Sequence, residues 1–550
     1  MIKEELVKIL KNAGVEGEIE LSKPPKSDMG DFAFGCFEVA KTKKQNPVEV
    51  AKELQEKIQD TKNEAIDDVK AFGPYVNFFI NSAYLAKQVL DGSAEKKESK
   101  EKIVVEYACP NTHKAFHIGH LRNVITGESV IRILEHVGYN VKRVNYQGDV
   151  GMHIAKALCG IMQDKQEYEK AKNLSLKEKA NYLGSVYTKG AEFFDRNEEN
   201  KQKVIEINDK IYIQDKSIKN IYQETRQWSL DYFEEIYKKV DCSFNRYYFE
   251  SEVYKKGIKI VNKFLKKEIF EVGEGGAIIF PGSKYGLHDR VFITSKGFPT
   301  YEAKDTALAK LQYQEFKPEK IIHIVGKEQS EYFKVLFKSL EFTYPKLNNK
   351  EYHLAYGWVS LKSGKMSSRT GDVVLAEEII DAVEKEVSKN IEDKESISKI
   401  GMSAIKYAFL KPGVRNDIKF DVKESISTTG DSGPYLLYVL ARIRSILQKE
   451  LPSSKLLVPE FIENEEKNLL LKLGSFTEIV KSSADSYDPS KIAQYLFDIA
   501  KSFNVFYENC PVLKAEDEEV KNFRLNLIKK IEETVEKGLY LLGIESVEEM

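Results

Sequence analysis

Ile103-Val104-Val105-Glu106-Tyr107, then His117-Ile118-Gly119-His120, then the apolar-periodic Leu121 to Val137, is the stretch on which the fold turns. The first run is apolar and β-branched, the pattern of a buried strand, and the last has apolar residues at helical spacing. A strand, a tight turn with a glycine and a helix N-terminus make an anion site, because unpaired N–H groups and the positive end of the helix dipole meet at one point. Two imidazoles three residues apart there can both donate to phosphate oxygens. Gly119 between them leaves room for a flat base to lie on the backbone. His113, His117 and His120 are three of the chain's eight histidines.

Outward from this stretch, residues 103 to about 162 alternate strand and helix, which implies a parallel sheet with crossover helices. Residues 163–240 are strongly charged with apolar residues at helical spacing, and predict a helical insertion. Strand signals return in Gly276-Ala277-Ile278-Ile279-Phe280 and Asp289-Arg290-Val291-Phe292-Ile293-Thr294, and a second half of the sheet follows. It ends near the polar loop Lys365-Met366-Ser367-Ser368-Arg369-Thr370-Gly371, which comes after the strand-like Tyr356 to Leu361. A lysine on a glycine-bearing loop suits the charge that builds on a phosphate during transfer. It is not a P-loop, which would need Gly at Val359 and Ser or Thr at Met366. From about 386 the period is helical to the end, with breaks at Pro412-Gly413 and Pro511. Upstream, residues 1–92 mix two helical patterns with short strands, and Phe72 to Ile80 alternates around a turn as the closing strand. The charged stretch 93–102 has no apolar period and is expected to be a linker.

The expected fold is therefore α/β. A Rossmann-type parallel-sheet domain over 103–385 carries the helical insertion, between a small α+β N-terminal domain (1–92) and an all-α C-terminal bundle (386–550). A chain of 550 residues exceeds what one core supports, which agrees with several domains. No apolar run approaches a membrane span, and the amphipathic start at Met1 is not a secretory signal. Five cysteines (Cys36, Cys109, Cys159, Cys242, Cys510) without a C-x-x-C pair argue for a reducing cytoplasm and against a zinc site. The net charge of −2 gives no sign of a nucleic-acid binder, yet local basic strips can hold RNA on a balanced protein. Only twelve of the 84 basic residues are arginine, so arginines within motifs stand out.

His-Ile-Gly-His followed by Lys-Met-Ser resembles the paired signature of class I aminoacyl-tRNA synthetases. Cys109-Pro110-Asn111-Thr112-His113-Lys114-Ala115-Phe116 leading into the first motif is similar to the arginyl-tRNA synthetase form. So are Val144 to Gly151, Thr300 to Asp305, Gly326 to Gln329, Gly433 to Tyr438 and the ending Leu541-Leu542-Gly543-Ile544. The resemblance covers nearly the whole chain and is weakest over about 163–240.

The resemblance implies that the carboxylate of arginine attacks the α-phosphate of ATP, pyrophosphate leaves, and the 3′-terminal ribose of tRNA takes the arginyl group. Such chemistry needs positioning and charge stabilisation more than a general base. His117 and His120 are then expected at the phosphates, Gly119 against adenine, and Met366 and Ser367 at ATP. Lys365 would stabilise the departing charge, with Mg²⁺ carried by the nucleotide and no structural metal. The general class I loop has a second lysine where this chain has Ser368. Lys114, three residues before His117, is placed to supply the missing cation, a variation that also resembles the arginyl family. For the guanidinium, a planar fork of N–H donors that carboxylates match, the resemblance assigns Asp305 and Tyr301, four apart on a helix start. Glu106, Asn111 and Gln329 would hold the α-amino and carboxylate groups.

Tyr435, Tyr438 and Arg442 lie along one helical stripe, with Arg444 nearby. Aromatic rings with a guanidinium suit splayed bases, and the resemblance is to an anticodon-binding bundle. Tyr75 and Asn77 match a tRNA-contacting end of the N-terminal domain. The expected partners are arginine tRNA, arginine and ATP, no membrane, and a monomer in the cytoplasm. A glutamate or cysteine enzyme would need a basic pocket or zinc ligands, and neither is visible. A pseudo-synthetase would not need His117, His120 and Lys365 intact, and a simple nucleotidyltransferase would not need the long helical ending. Gly430-Asp431-Ser432-Gly433 echoes a serine-hydrolase motif, but Pro434 replaces its last glycine and no histidine is near.

Overall fold

The structure is a computed structural model that describes residues 2–61, 63–92, 99, 101–362, 374–453 and 455–550. Lys365, Met366, Ser367 and Ser368 therefore lie outside the described residues, as does most of the expected linker.

The N-terminal unit runs α1 (Ile2–Asn12), β1 (Leu21–Ser22), β2 (Phe32–Gly35), α2 (Phe37–Lys43), α3 (Pro47–Gln59), β3 (Ile66–Phe72), β4 (Tyr75–Ile80) and α4 (Ser82–Leu90). Its sheet order is β1-β2-β4-β3, all pairs antiparallel. The alternating stretch that reads as one closing strand is the second half of a hairpin. Gly73 at φ +58° makes the turn, and Val76, Phe78 and Ile80 point into the core.

The middle of the chain runs β5 (Lys102–Glu106), α5 (Ile118–His136), β6 (Asn140–Gln147) and α6 (Met152–Gln163). The charged segment follows as α7 (Lys165–Ala171), α8 (Leu176–Arg196), α9 (Glu198–Ile213) and α10 (Lys216–Lys239). Then come β7 (Arg246–Phe249), α11 (Glu250–Leu265), β8 (Glu271–Val272), β9 (Ile278–Phe280), β10 (Arg290–Ile293), α12 (Tyr301–Phe316), β11 (Lys320–Gly326), α13 (Ser330–Thr343), β12 (Glu351–Tyr356) and β13 (Val359–Leu361). Five strands form one parallel sheet in the order β12-β11-β5-β6-β7. Strand order reverses between β5 and β11, and it is outside the carboxyl ends of the strands at such a point that open α/β sheets bind ligands. β8, β9 and β10 make a separate antiparallel sheet, because their short connections allow hairpins, whereas parallel neighbours need a crossover. α6 and α8 cross at backbone contact: a Cβ on Gly190 would stand 1.8 Å from the carbonyl oxygen of Lys156.

The rest is helical, α14 (Ala376–Val387), α15 (Lys394–Leu410), α16 (Val422–Ser425), α17 (Gly433–Lys449), α18 (Asn464–Gly474), α19 (Phe476–Ser486), α20 (Ser490–Asn509) and α21 (Glu518–Leu541), with one exception. Ile418-Lys419-Phe420 alternates buried-exposed-buried and forms β14, parallel to β13. Arg122 of α5 makes this junction rigid. Its guanidinium is fully buried and donates to the carbonyls of Gly357 (2.6 Å), Trp358 (2.9 Å), Val414 (3.0 Å) and Asn416 (2.8 Å). α5 is buried all round between sheet and bundle, with Ser129 donating to the Leu541 carbonyl and Arg132 to that of Tyr540. Among the described residues no helix is long and apolar enough to cross a membrane.

Candidate active site

His117 is the N-cap of α5, and its imidazole is turned back onto the helix. Nδ1 accepts from the backbone N–H groups of Gly119 (3.1 Å) and His120 (3.4 Å), and Nδ1 of His120 accepts from the N–H of His117 (3.2 Å). The N–H of Ile118 is taken by the Val374 carbonyl at 2.9 Å. The helix start thus differs from the open N–H cluster expected from sequence: its first donors are satisfied internally. With both Nδ1 atoms accepting, both rings carry their proton on Nε2, and those N–H groups are left to donate outward. The rings stack at 3.8 Å. Burial, with Lys114 adding, pushes the pKa of His117 down to about 4. Burial, then His117 and Lys114, hold His120 well below its usual value. The pair is neutral at neutral pH, so any cation at this site must come from elsewhere. Gly119 is required for a reason missed in the sequence: a Cβ would sit 2.9 Å from Cε1 of His117. His113 is separate. It is buried at φ +60° with its ring between Thr112 and Thr225 of the insertion, a scaffold position.

Lys114 lies against the insertion, its ammonium 5.4 Å over the ring of Tyr187 in α8. Burial and the neighbouring Lys156 lower its pKa, and Glu250 opposes them. Chain leaving β13 enters the Lys365 segment, and chain leaving that segment at Val374 is bonded directly to Ile118. The described residues on either side, Lys362 and Val374, are thus held, the second of them at the first motif.

The acidic pocket stands at the carboxyl ends of β5, β6 and β7. Asp305, in the second turn of α12, accepts the Tyr332 hydroxyl on Oδ2, while its Oδ1 is buried without a partner. Burial raises its pKa to about 7; Tyr332 and Lys304 pull it down, and Glu106 and Glu250 push it up. The Tyr146 hydroxyl, also buried and unpartnered, lies in the field of Asp305, Glu250 and Glu106. Glu250 and Lys304 form a buried pair at 2.7 Å. Tyr301 is 53% exposed, yet burial of its hydroxyl, with the charges of Glu250 and Asp305 adding, pushes the phenol up to about 12. Asn111 bridges to Gly148, where a Cβ would collide with its Oδ1 at 1.9 Å. Gln329 is exposed in the turn after β11.

Unpaired or half-paired acidic and phenolic groups gathered together in this way call for a cation with several donors. Asp305, Tyr301 and Glu106 are candidates the sequence already names. Glu250, Tyr332 and Tyr146 were missed, although Glu250 follows β7 directly, the position where strand ends line such crevices.

The expected RNA stripe divides. Tyr438 is 44% exposed and lines a cavity of about 410 Å³ with Ala441, Arg442, Ser445, Glu548 and Met550. Arg442 packs over the ring of Tyr507 at 4.4 Å. Tyr435 is 9% exposed, accepts from Asn504 and packs on Phe497, so it belongs to the core side of α17. Arg444 is enclosed by Glu532, Glu536 and Glu548. In the N-terminal unit Tyr75 is exposed beside Phe37, whereas Asn77 is buried and donates to the Met29 carbonyl at 2.8 Å.

Known proteins match this chain along nearly its whole length. Residues 1–80 match the arginyl tRNA synthetase N terminal domain, residues 81–422 the class I (R) tRNA synthetase catalytic domain, and residues 436–550 the DALR anticodon binding domain. Arginine–tRNA ligase of Treponema denticola is 33% identical over 97% of this chain and 95% of its own length. That of Clostridium perfringens is 33% identical over 98% and 96%. The solved arginyl-tRNA synthetase of Thermus thermophilus superposes with a TM-score of 0.84 at 25% identity, covering 100% of this chain and 99% of that one. With a histidine pair at the start of α5, buried acidic groups at the carboxyl ends of the sheet and this match from end to end, the chain belongs to the arginyl-tRNA synthetases, the class I ligases that join arginine to its tRNA.

Proposed function

We propose that the acidic pocket takes arginine and that the crevice beside His117 and His120 takes ATP, so that the arginine carboxylate meets the α-phosphate between them. Asp305 and Tyr301 receive the guanidinium, with Glu250 as a further carboxylate; Glu106, Asn111 and Gln329 hold the α-amino and carboxylate groups. His117 and His120 donate neutral N–H bonds to the phosphates, and Gly119 lies under adenine. Lys365 and Lys114 supply the positive charge that neutral histidines do not, with Met366 and Ser367 at the nucleotide. Magnesium on the phosphates would supply the remaining charge neutralisation. The donors beside them are imidazole N–H groups and ammonium groups, which have no free lone pair for a metal, and this fits an ion held by phosphate oxygens. Tyr438 and Arg442, with Tyr435 beneath, receive the anticodon loop, and Tyr75, fixed from below by Asn77, meets the tRNA body. The working unit is a cytoplasmic monomer.

The buried, unpartnered Oδ1 of Asp305 is the observation that carries this reading, since a carboxylate oxygen left without a donor in an interior is stable only when a ligand completes it. Citrulline has arginine's shape with a neutral ureido group. Calorimetric titration should show arginine binding and citrulline weaker by at least about 100-fold. Equal affinity for the two would overturn the assignment.

A further inference from the structure

α10 closes the insertion, and one face of it lies along the turn that carries the histidine pair. Thr225, Ser229, Tyr232 and Lys239, spaced i, i+4, i+7 and i+14, share that face. The Thr225 hydroxyl is 2.7 Å from Nε2 of His113, and the Ser229 hydroxyl accepts the His113 N–H at 2.9 Å. One turn further on, the fully buried ring of Phe116 stands between α10 and the pair. Its centroid is 5.8 Å from that of Phe233, 6.1 Å from Tyr237 and 5.1 Å from His120.

α10 also reaches this turn by a second route. Tyr232 donates to Oε2 of Glu377 at 3.1 Å, and Lys239 to Oε1 at 3.2 Å. Glu377 is buried in the first turn of α14. The residues just before it pair antiparallel with the histidine turn. The Ala376 N–H donates to the Phe116 carbonyl at 2.9 Å, the Ile118 N–H to the Val374 carbonyl at 2.9 Å, and Leu375 lies opposite His117. An acid in the first turn of a helix ordinarily serves the dipole. That duty falls to Glu378, whose Oε2 accepts the Leu375 N–H at 3.1 Å, while Glu377 is turned inward to α10. A buried carboxylate with two donors is also a poor stabiliser, because apolar side chains of the same volume do as well or better. Neither the helix start nor packing therefore accounts for Glu377.

We propose that Glu377 is a positioning residue for the histidine pair, and that α10 is the template against which the pair is set. This rests on the reading of His117 and His120 as phosphate donors and goes beyond it by giving the insertion a part in the reaction. Phe116 packs on α10 directly, and the 374–376 segment is tied to α10 through Glu377. Held from both sides, the turn keeps the Nδ1 bonds that leave each Nε2–H free to donate. Without Glu377 it is held from one side only, and a shift of about 1 Å in such a group costs about 100-fold in rate.

The test compares Glu377→Ala and Tyr232→Phe with the unaltered protein, reading kcat for charging and the ¹⁵N signals of labelled histidines. In the unaltered protein His117 and His120 should each show a bare Nδ1 and a protonated Nε2. In Glu377→Ala both should change to a mixture of tautomers. Its kcat should fall about 10- to 100-fold, with the KM for arginine within about twofold. Tyr232→Phe keeps the ring and removes one donor, and should move both readouts the same way by less. A merely structural role would lower the melting temperature and leave the histidine signals and kcat where they were, which would overturn the proposal. A lower kcat with unchanged histidine signals would overturn it too, since Glu377 would then act by another route. Should Glu377→Ala not fold, Tyr232→Phe decides, and unchanged histidine signals there overturn the proposal. His117→Asn, which keeps an N-cap acceptor and lacks the ring, separates the two layers. Full kcat in that variant would overturn the phosphate reading, whereas the spectra alone decide whether Glu377 sets the turn.

Discussion

Asp305→Asn should improve the stability of the free protein while nearly abolishing its use of arginine. In the empty pocket the carboxyl's pKa is raised from 3.8 to about 7, chiefly by burial. A raised folded-state value means that its stabilising contribution is full below the unfolded value of 3.8, declines as pH rises, and is gone above about 7. Relative to a neutral isostere, the empty pocket at pH 7 therefore gives up at most about 4 kcal/mol of stability. Arginine reverses the balance, because only the ionised carboxylate makes the charge-assisted fork with a guanidinium. The ionised fraction falls from about one half at pH 7 to about one tenth at pH 6, so the apparent Kd for arginine should rise about fivefold over that unit and about tenfold over the next. About half a proton should be released per arginine bound at pH 7, measurable by calorimetry in two buffers of different ionisation enthalpy. In Asp305→Asn the proton release and the pH slope should vanish. The arginine KM should rise by about two to three and a half orders of magnitude, the equivalent of about 3–5 kcal/mol for an unpaired buried cation, with the KM for ATP little changed. The melting temperature without ligand should rise. An unchanged arginine KM together with a pH-independent Kd in the original protein would refute the reasoning, whatever happened to the melting temperature.

Arg122→Leu should be destabilising by about 3–5 kcal/mol or prevent folding, because four carbonyls, two of them buried, lose their donor at once; soluble yield and denaturant titration measure it. Lys114→Ala should lower kcat by about 100-fold in steady-state charging, since the histidine pair is neutral and leaves that cation unreplaced, and Ser368→Lys added to it should recover part of the loss in a double-mutant cycle. A fully active Lys114→Ala protein would make this residue a surface lysine. Tyr438→Ala should raise the KM for tRNA by about 10-fold through loss of a stacking face, whereas Tyr435→Phe should leave tRNA binding within about twofold, because that hydroxyl only meets Asn504.

Most of the architecture was legible because it follows from local pattern. The β-branched run at 103–107 and the periodic segment after His120 become β5 and α5, and the charged stretch at 163–240 becomes four helices. The candidate site was legible where a residue type declares its chemistry, as with His117, His120 and Asp305. Three things were hidden, each set by distant partners. The donors at the start of α5 are capped by the side chain of His117 and by Val374, so the groups left to meet a ligand at this turn are imidazole N–H groups and not bare amides. Tyr435 and Tyr438 share a helical stripe in sequence, but neighbouring α20 covers only the first. β14 is three residues long and exists because β13 lies beside it, a tertiary cause that no local signal carries.

Charging of tRNA with arginine at this pocket can be measured directly. The direct measurement supplies radiolabelled arginine, lysine or glutamate with ATP and total tRNA, and scores acid-precipitable label. The account predicts charging with arginine alone, at rates above lysine by at least about 1,000-fold, because Asp305 and Tyr301 are built for a planar fork and not a point charge. Comparable charging with lysine, or none with arginine, would contradict it.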